Sequence, residues 1–364
     1  MHPIITAFPA PNFRSLREKK GLFANGLRSY TALFGSGTAA VYWAFRGSGL
    51  PKGSTAWMPS FNCGVEIQAA MDAGFTVRYY RVAPDLSVDV EDLERRLRNC
   101  PGAVLLIHYF GFPQTRVEMI SQLCRELGSV LIEDCAHALF SSLGGTPLGS
   151  FGDASVYSLR KSLPLYDGGA LQINRSEFKI TPRLKRATVP FKVFVKDSIR
   201  RTADSRLMGA FRRWLASGRK GPPKAPWETQ APCYSKGFSL LSRRLALSAS
   251  PDDIVSARRR RWQRVHGRLS GLKEHHAVWD HLPDGVSPLF YCVRVRDRDI
   301  LMNRLLASGV ETFRFGAQFH PTLDLSLYPG NLEMRESILA FPVHQDLDPN
   351  SLNKALDVYC RSIE

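Results

Sequence analysis

AVLLIHYFGFPQTRVEMISQLCRELGSVLIEDCAHA, residues 103–138, is a strand, a helix and a second strand in succession. AVLLIHY and SVLIED are short apolar runs bounded by glycine and proline, whereas RVEMISQLCREL between them repeats its apolar residues at helical spacing. Two such strands joined through a helix run parallel. Working outward, TAWMPS (55–60) and FTVRYY (75–80) read as further strands, and TAAVYWAF (38–45), GVEIQAAMDA (64–73) and VEDLERRL (90–97) as helices. From about Thr31 to Asn174 the chain is therefore expected to form an α/β fold, a mostly parallel sheet sandwiched by helices. Ligands of such sheets sit beyond the carboxyl ends of the strands, which is where chemistry is to be sought.

Residues from about 175 to 235 break this rhythm with basic residues and the proline-rich GPPKAPW (221–227). Further on, DDIVSARRRRWQRVHGRLSGL (252–272) has a helical pattern and PLFYCVRV (288–295) reads as a strand. RDILMNRLLASG (298–309) is a helix ended by glycine, and SLNKALDVYCRSI (351–363) a closing helix. The expected organisation is a large domain over 1–244, carrying the basic excursion, and a smaller C-terminal α/β domain over 245–364.

With 364 residues and 44% hydrophobic content the chain can bury two cores, which excludes disordered and fibrous classes. No run approaches the ~18 apolar residues of a membrane span, and the first residues lack the pattern of a secretory signal, so a cytoplasmic location is expected. The seven cysteines are scattered, without a CxxC pair or a histidine at ligand spacing, so reduced thiols and no metal site are expected. Net charge is +16, but fourteen basic residues face two acidic ones between Lys179 and Lys224, so most of the excess sits in the excursion. Apolar residues from Ile199 to Leu215 recur there at helical spacing, with arginines largely off the stripe. Such a helix, over about 198–216, could pack on the core, contact an anionic substrate or partner, or lie on a membrane surface. Charge confined to one excursion, without interleaved aromatics or a reading motif, argues against nucleic acid as the partner.

Three stretches carry chemistry. In VLIEDCAHA (130–138) two adjacent carboxylates end a buried strand, and alternation aims only one of them, Asp134, into a site. A buried carboxylate needs a cationic partner or backbone amides; a protonated pyridine nitrogen would serve as the former. GSGTAA (35–40) is a small-residue loop entering a helix, which places Gly37 and Thr38 to bind phosphate, although an ordinary helix cap has the same appearance. In YSLRKSLPLYDGGAL (157–171), Lys161 is the sole lysine between Lys52 and Lys179 and follows a strand pattern. An amine there suits Schiff-base chemistry in a way that the guanidinium of Arg160 cannot. A solvated surface lysine is the competing possibility.

Taken in order, GSGTAA, MPSF (58–61), HYFGFP (108–113), IEDCAHA (132–138), YSLRK with DGG, and ILAFPVHQDL (338–347) resemble the DegT/StrS-type sugar aminotransferases. These are fold type I enzymes dependent on pyridoxal 5'-phosphate (PLP). The resemblance implies that Lys161 forms the Schiff base with the cofactor and moves protons, and that Asp134 holds the pyridinium nitrogen. It further implies that His137 contacts the phenolic oxygen and that Thr38 and Ser158, beside Gly37, bind the phosphate. His108 and Tyr109, at the next strand end, could line the site or merely pack. An amino group would pass from an amino acid, glutamate being the expected donor, to a keto sugar nucleotide, in a homodimer serving surface polysaccharide or glycan biosynthesis. Related sugar dehydratases carry histidine in place of the lysine, so Lys161 argues for transamination. The alternatives are an aminotransferase acting on a non-sugar ketone and a non-catalytic scaffold of the same fold.

The chain departs from the family pattern at three places. FNCGVE (61–66) has Asn62 and Cys63 where an aromatic residue usually stacks on the ring. The lysine follows the YS pair about two residues sooner than is usual. YSKGFS (234–239) replaces an asparagine motif that reaches a neighbouring subunit's phosphate, which makes Lys236 either a substitute anion ligand or a surface lysine at a dimer interface.

Overall fold

The computed structural model describes residues 5–11, 24–189, 233–272 and 276–363. Strands β1 (Ala32–Phe34), β2 (Thr55–Pro59), β3 (Thr76–Tyr80), β4 (Ala103–Ile107) and β5 (Val130–Asp134) are followed by a small hairpin, β6 (Ser142–Leu143) and β7 (Thr146–Pro147). Strands β8 (Ala154–Tyr157) and β9 (Gly169–Ile173) complete the first part of the chain. A seven-stranded sheet has the order β1-β9-β8-β5-β4-β2-β3. Neighbours from β3 through β8 pair in parallel, whereas β9 pairs antiparallel with both β8 and β1, so it alone runs against the others. The mostly parallel sheet expected from the βαβ pattern is present. β1 had no signal in the sequence, because three residues show no periodicity.

The helices of this part are α1 (Ala24–Ser29), α2 (Gly37–Gly47), α3 (Val65–Asp72), α4 (Val90–Asn99), α5 (Val117–Glu126) and the single turn α6 (Leu159–Ser162). Every residue of β2 and β4 is buried, as expected of strands covered on both faces. Each large apolar side chain so buried contributes about 1.5–3 kcal/mol. Together these contacts make the sheet the rigid platform from whose strand ends the site projects.

After residue 232 come α7 (Leu240–Leu247), α8 (Pro251–Leu269), α9 (Arg298–Ala307), α10 (Pro329–Ser337) and α11 (Pro349–Ile363). A three-stranded antiparallel sheet, β10 (His276–Ala277), β11 (Phe290–Arg294) and β12 (Ile338–Pro342), lies among them. Trp262, Tyr291, Leu305, Phe341 and Tyr359 share its core. Leu245, Ala246 and Ile254 instead pack with Leu159 and Leu163 of the first part. The helix expected over about 198–216 lies outside the described residues, as does most of the basic excursion. Its flanks are tied together, Lys185 pairing with Lys236 as a parallel bridge. No helix of the described residues is long and apolar enough to cross a membrane.

Candidate active site

β5 ends in two carboxylates with opposite fates. Glu133 points into the protein, where Oε1 accepts the amides of Phe151 (2.8 Å) and Gly152 (2.6 Å), and Oε2 accepts the amide of Gly149 and His108 Nε2, both at 2.9 Å. His108 Nδ1 accepts the Gln114 amide at 3.0 Å, so its Nε2 bears the proton given to Glu133. His108, Glu133 and Cys135 are close enough together to suggest a metal site. The four donors already occupy the carboxylate, leaving nothing for an ion. Asp134, one residue on, faces the other way and lines a cavity of about 890 Å³. Its Oδ1 accepts the Ala136 amide at 2.8 Å, and no described residue donates to the second oxygen. Burial raises the pKa of this carboxyl, while the nearby charge of Lys161 and the Ala136 amide pull it down. An amide thus satisfies one oxygen of Asp134, and the other is open to a cation.

Lys161 reaches the same cavity from α6, whose first turn starts at Ser158. Its Nζ lies 3.0 Å from His137 Nε2. Nδ1 of that ring accepts the Phe110 amide at 3.2 Å, and an amide can only donate. Neutral His137 therefore carries its proton on Nε2, which it can donate to the lysine nitrogen only when that amine is in its neutral form, because a charged ammonium has no lone pair to accept it. Burial first, and the lysine's charge second, hold the pKa of His137 well below the ordinary histidine range. Phe110 stacks on the imidazole at a centroid distance of 5.4 Å and Phe315 meets it edge-on at 5.3 Å, which fixes the ring plane.

The third wall is the GSGT loop. Ser36 caps α2 by accepting the Ala39 amide at 3.2 Å. A Cβ on Gly169 would fall 2.0 Å from Ser36 O, so the DGG segment is glycine because two backbones touch there. Gly168 N donates to Gly35 O at 3.1 Å and Gly35 N to Lys236 O at 2.8 Å, which locks the loop between β9 and the returning chain. A Cβ on Gly37 would lie 3.1 Å from Ser158 Cβ, placing the start of α2 against that serine. Thr38 and Ser158 both line the cavity, and their hydroxyls have no partner among the described residues.

All six residues singled out in the sequence, Gly37, Thr38, Asp134, His137, Ser158 and Lys161, thus line one cavity. Lys236 lines it too, beside Gly35. His108 and Tyr109 do not; Tyr109 is buried and donates to Phe61 O at 2.5 Å, so both pack. Two contributors were missed. Glu66 is buried on the cavity wall, its Oε1 accepting the Cys63 amide at 2.8 Å. Burial, reinforced by Asp134, pushes its pKa up to about 7. With Cys63 it occupies the wall where an aromatic residue was expected; a glutamate in a helix's first turn is usually a solvated partner of the helix dipole, so it gave no signal. Phe313–Gly316 arrives from the C-terminal part, with Arg314 held by Asp299 at 3.2 Å.

An unpartnered carboxylate oxygen, an amine and a helix start beside two free hydroxyls, facing one cavity, fit a flat ring bearing a ring nitrogen, an aldehyde and a phosphate. PLP has those groups.

The architecture is that of the fold type I PLP-dependent aminotransferases. PseC of Helicobacter pylori, an aminotransferase involved in pseudoaminic acid biosynthesis, shares it with a TM-score of 0.71 at 15% identity, over 99% of each chain. A Streptococcus pneumoniae protein solved in a PLP form matches with a TM-score of 0.68 at 15% identity, over 98% of this chain and 97% of that one.

Residues 22–188 match the model of the DegT/DnrJ/EryC1/StrS aminotransferase family, whose members depend on PLP. GDP-perosamine synthase of Vibrio cholerae is 29% identical over 142 residues, which are 38% of each protein. The dTDP-4-dehydro-2,3,6-trideoxy-D-glucose 4-aminotransferase of Saccharopolyspora spinosa is 36% identical over 137 residues, 37% of this chain and 35% of that enzyme. These two matches therefore span well under half of the relatives' length. A longer match, 24% identical over 339 residues, covers 88% of this chain and 81% of the UDP-4-amino-4,6-dideoxy-N-acetyl-beta-L-altrosamine transaminase of Campylobacter jejuni subsp. jejuni serotype O:23/36 (strain 81-176).

Proposed function

We propose that this protein is a PLP-dependent aminotransferase that moves an amino group from an amino acid to a keto sugar nucleotide, in the biosynthesis of a surface polysaccharide or glycan. The observation that carries the proposal is the convergence of Lys161 Nζ, 3.0 Å from His137 Nε2, with the open oxygen of Asp134 and the Gly37–Thr38–Ser158 cup on one cavity. PLP supplies an electron sink for the carbon that exchanges its amino group. Lys161 would hold the cofactor and carry protons, and His137 would orient it through Nε2–H. Asp134 would face the ring nitrogen, and Gly37, Thr38 and Ser158 the phosphate at the start of α2. The sugar-nucleotide class is drawn from the relatives named above; glutamate as donor, a homodimer, a cytoplasmic setting and the division into domains at residue 244 belong to the same proposal.

The test is addition of PLP to purified protein, followed by borohydride reduction and peptide mass mapping. Wild type is expected to retain the cofactor on the peptide containing Lys161, and Lys161→Ala and Lys161→Arg to retain none. Labelled glutamate with a panel of keto sugar nucleotides and simple ketones then identifies donor and acceptor. Capture of the cofactor on another lysine, or none at all in wild type, would overturn the assignment.

A further inference from the structure

The turn that carries Lys161 is held from the C-terminal part of the chain. Helix α6 has four residues, too few to be stable unaided. Its own bonds are Lys161 N to Ser158 O at 3.1 Å and Leu163 N to Leu159 O at 2.8 Å, and its start is tied to the DGG loop by Leu159 N to Gly168 O at 3.1 Å. The carbonyl of Ser162, directly after the lysine, accepts two side chains instead: Arg258 Nη2 from α8 and Gln345 Nε2 from the segment after β12, each at 3.1 Å. Arg258 Nε donates to Gln345 Oε1 at 3.1 Å and Nη1 to Pro288 O at 3.4 Å. Its three acceptors, Ser162 O, Gln345 Oε1 and Pro288 O, are therefore all neutral; among the described residues no carboxylate hydrogen-bonds to it, and Asp346 acts on it only through its charge.

Arg258 is only 1% exposed. A buried guanidinium hydrogen-bonded only to neutral acceptors is a costly way to fill space that an apolar residue of similar volume would fill well. Burial draws its pKa down to about 10, so it stays charged at neutral pH and its bonds to carbonyls are of the stronger, charge-assisted kind. What distinguishes this arginine from a filler is its target, the peptide next to Lys161. We propose that Arg258 and Gln345 are positioning residues, a two-donor clamp on the Ser162 carbonyl that sets where Lys161 Nζ stands in the cavity and makes that position depend on the C-terminal part of the chain. The inference rests on the assignment of Lys161 as the cofactor lysine; it also accounts for a lysine that comes two residues sooner than in the family, on a turn needing external support.

The test uses the full chain in two independent arms. In the first, hydrogen exchange is followed at the amides of Leu159–Leu163 without cofactor. In the second, the rate at which PLP becomes borohydride-trapped on the Lys161 peptide is measured. Arg258→Met is expected to accelerate exchange at the turn by about tenfold or more, while exchange in β4 and β5 is unchanged, and to slow capture on the order of 10²-fold, as a displacement near 1 Å does. Arg258→Lys, which keeps charge and donors, is expected to recover part of both effects. Gln345→Leu removes one donor and is expected to move both in the same direction by less. Should Arg258→Met not fold, Gln345→Leu decides alone. Wild-type exchange and capture in a folded variant overturn the clamp. If wild type captures no PLP on Lys161, the functional proposal fails, yet the exchange arm still decides whether the turn is clamped.

Discussion

His137 turns Nε2–H towards Lys161 Nζ, 3.0 Å away, because its other nitrogen is committed to the Phe110 amide at 3.2 Å, so it can donate to the lysine only when that amine is neutral. The tautomer is thus set by the backbone of a different strand end, and the histidine stays neutral because burial holds its pKa well below the usual range. His137→Asn keeps a donor, whereas His137→Phe removes both functions and leaves the Phe110 amide unsatisfied. His137→Phe is expected to lose about 1–3 kcal/mol in denaturant unfolding and to slow amino transfer by about 10²-fold or more. His137→Asn should lose less of both. Equal rates in wild type and His137→Phe would remove the histidine from the mechanism.

The adjacent carboxylates of β5 separate structure from chemistry. Glu133→Gln replaces an acceptor of four N–H donors with a group that itself donates, and is expected to destabilise the protein by about 2–4 kcal/mol. Asp134→Asn keeps the acceptor for the Ala136 amide and should leave unfolding of the cofactor-free protein nearly unchanged. Its cost should fall on PLP affinity, weakened by about 10–100-fold when a charge-assisted contact is lost. Paired thermal melts and PLP titrations check both; the opposite distribution would exchange the two roles.

That separation was legible in the sequence, since strand alternation alone sends Glu133 and Asp134 to opposite sides. So was the placement of Gly37, Thr38, Ser158 and Lys161, each at the carboxyl end of a strand or the start of the helix after it. Glu66, Arg314 and Arg258 were not. Glu66 stands where solvated helix-start acids usually stand, and the cavity wall it shares with Gly316 is completed by a segment about 250 residues further along the chain, Gly316 itself meeting Phe61. Arg258 is one of four consecutive arginines in α8, and only the packed helix shows which of them turns inward.

Glu66 makes the cofactor-free protein pH-sensitive near neutrality. Its pKa is raised to about 7 in the folded state, so between about 4.5 and 7 the folded chain holds a proton that the unfolded chain has released. The stability tied to this proton is complete below the unfolded value and is lost as pH rises through about 7, up to about 3 kcal/mol. Glu66→Gln retains an acceptor for the Cys63 amide but cannot ionise. Wild type and variant are expected to unfold alike near pH 4.5, with the variant gaining the advantage steadily up to about pH 7 and keeping it, without further gain, at pH 8. A difference between them that does not change with pH would show that Glu66 is ionised throughout.

Gly169 tests whether the phosphate cup is set by backbone contact. A Cβ there would meet Ser36 O at 2.0 Å and Gly37 N at 2.6 Å, and both are main-chain atoms with no side-chain freedom to yield. Gly169→Ala must therefore push the GSGT loop off β9, breaking the alignment of α2 with Ser158. It is expected to cost on the order of 3 kcal/mol or more and to weaken binding of both PLP and inorganic phosphate. Gly37→Ala has only a 3.1 Å contact with the Ser158 Cβ to relieve, so it should fold nearly normally and lose cofactor affinity alone. Gly53→Ala provides the control for backbone strain, since its φ is +88° and its Cβ would meet nothing within 4 Å. That control should cost about 1 kcal/mol and leave phosphate binding untouched. If Gly169→Ala proves no worse than Gly53→Ala, the loop yields freely, and rigidity at residues 35–38 cannot be what prepares this cavity for a phosphate.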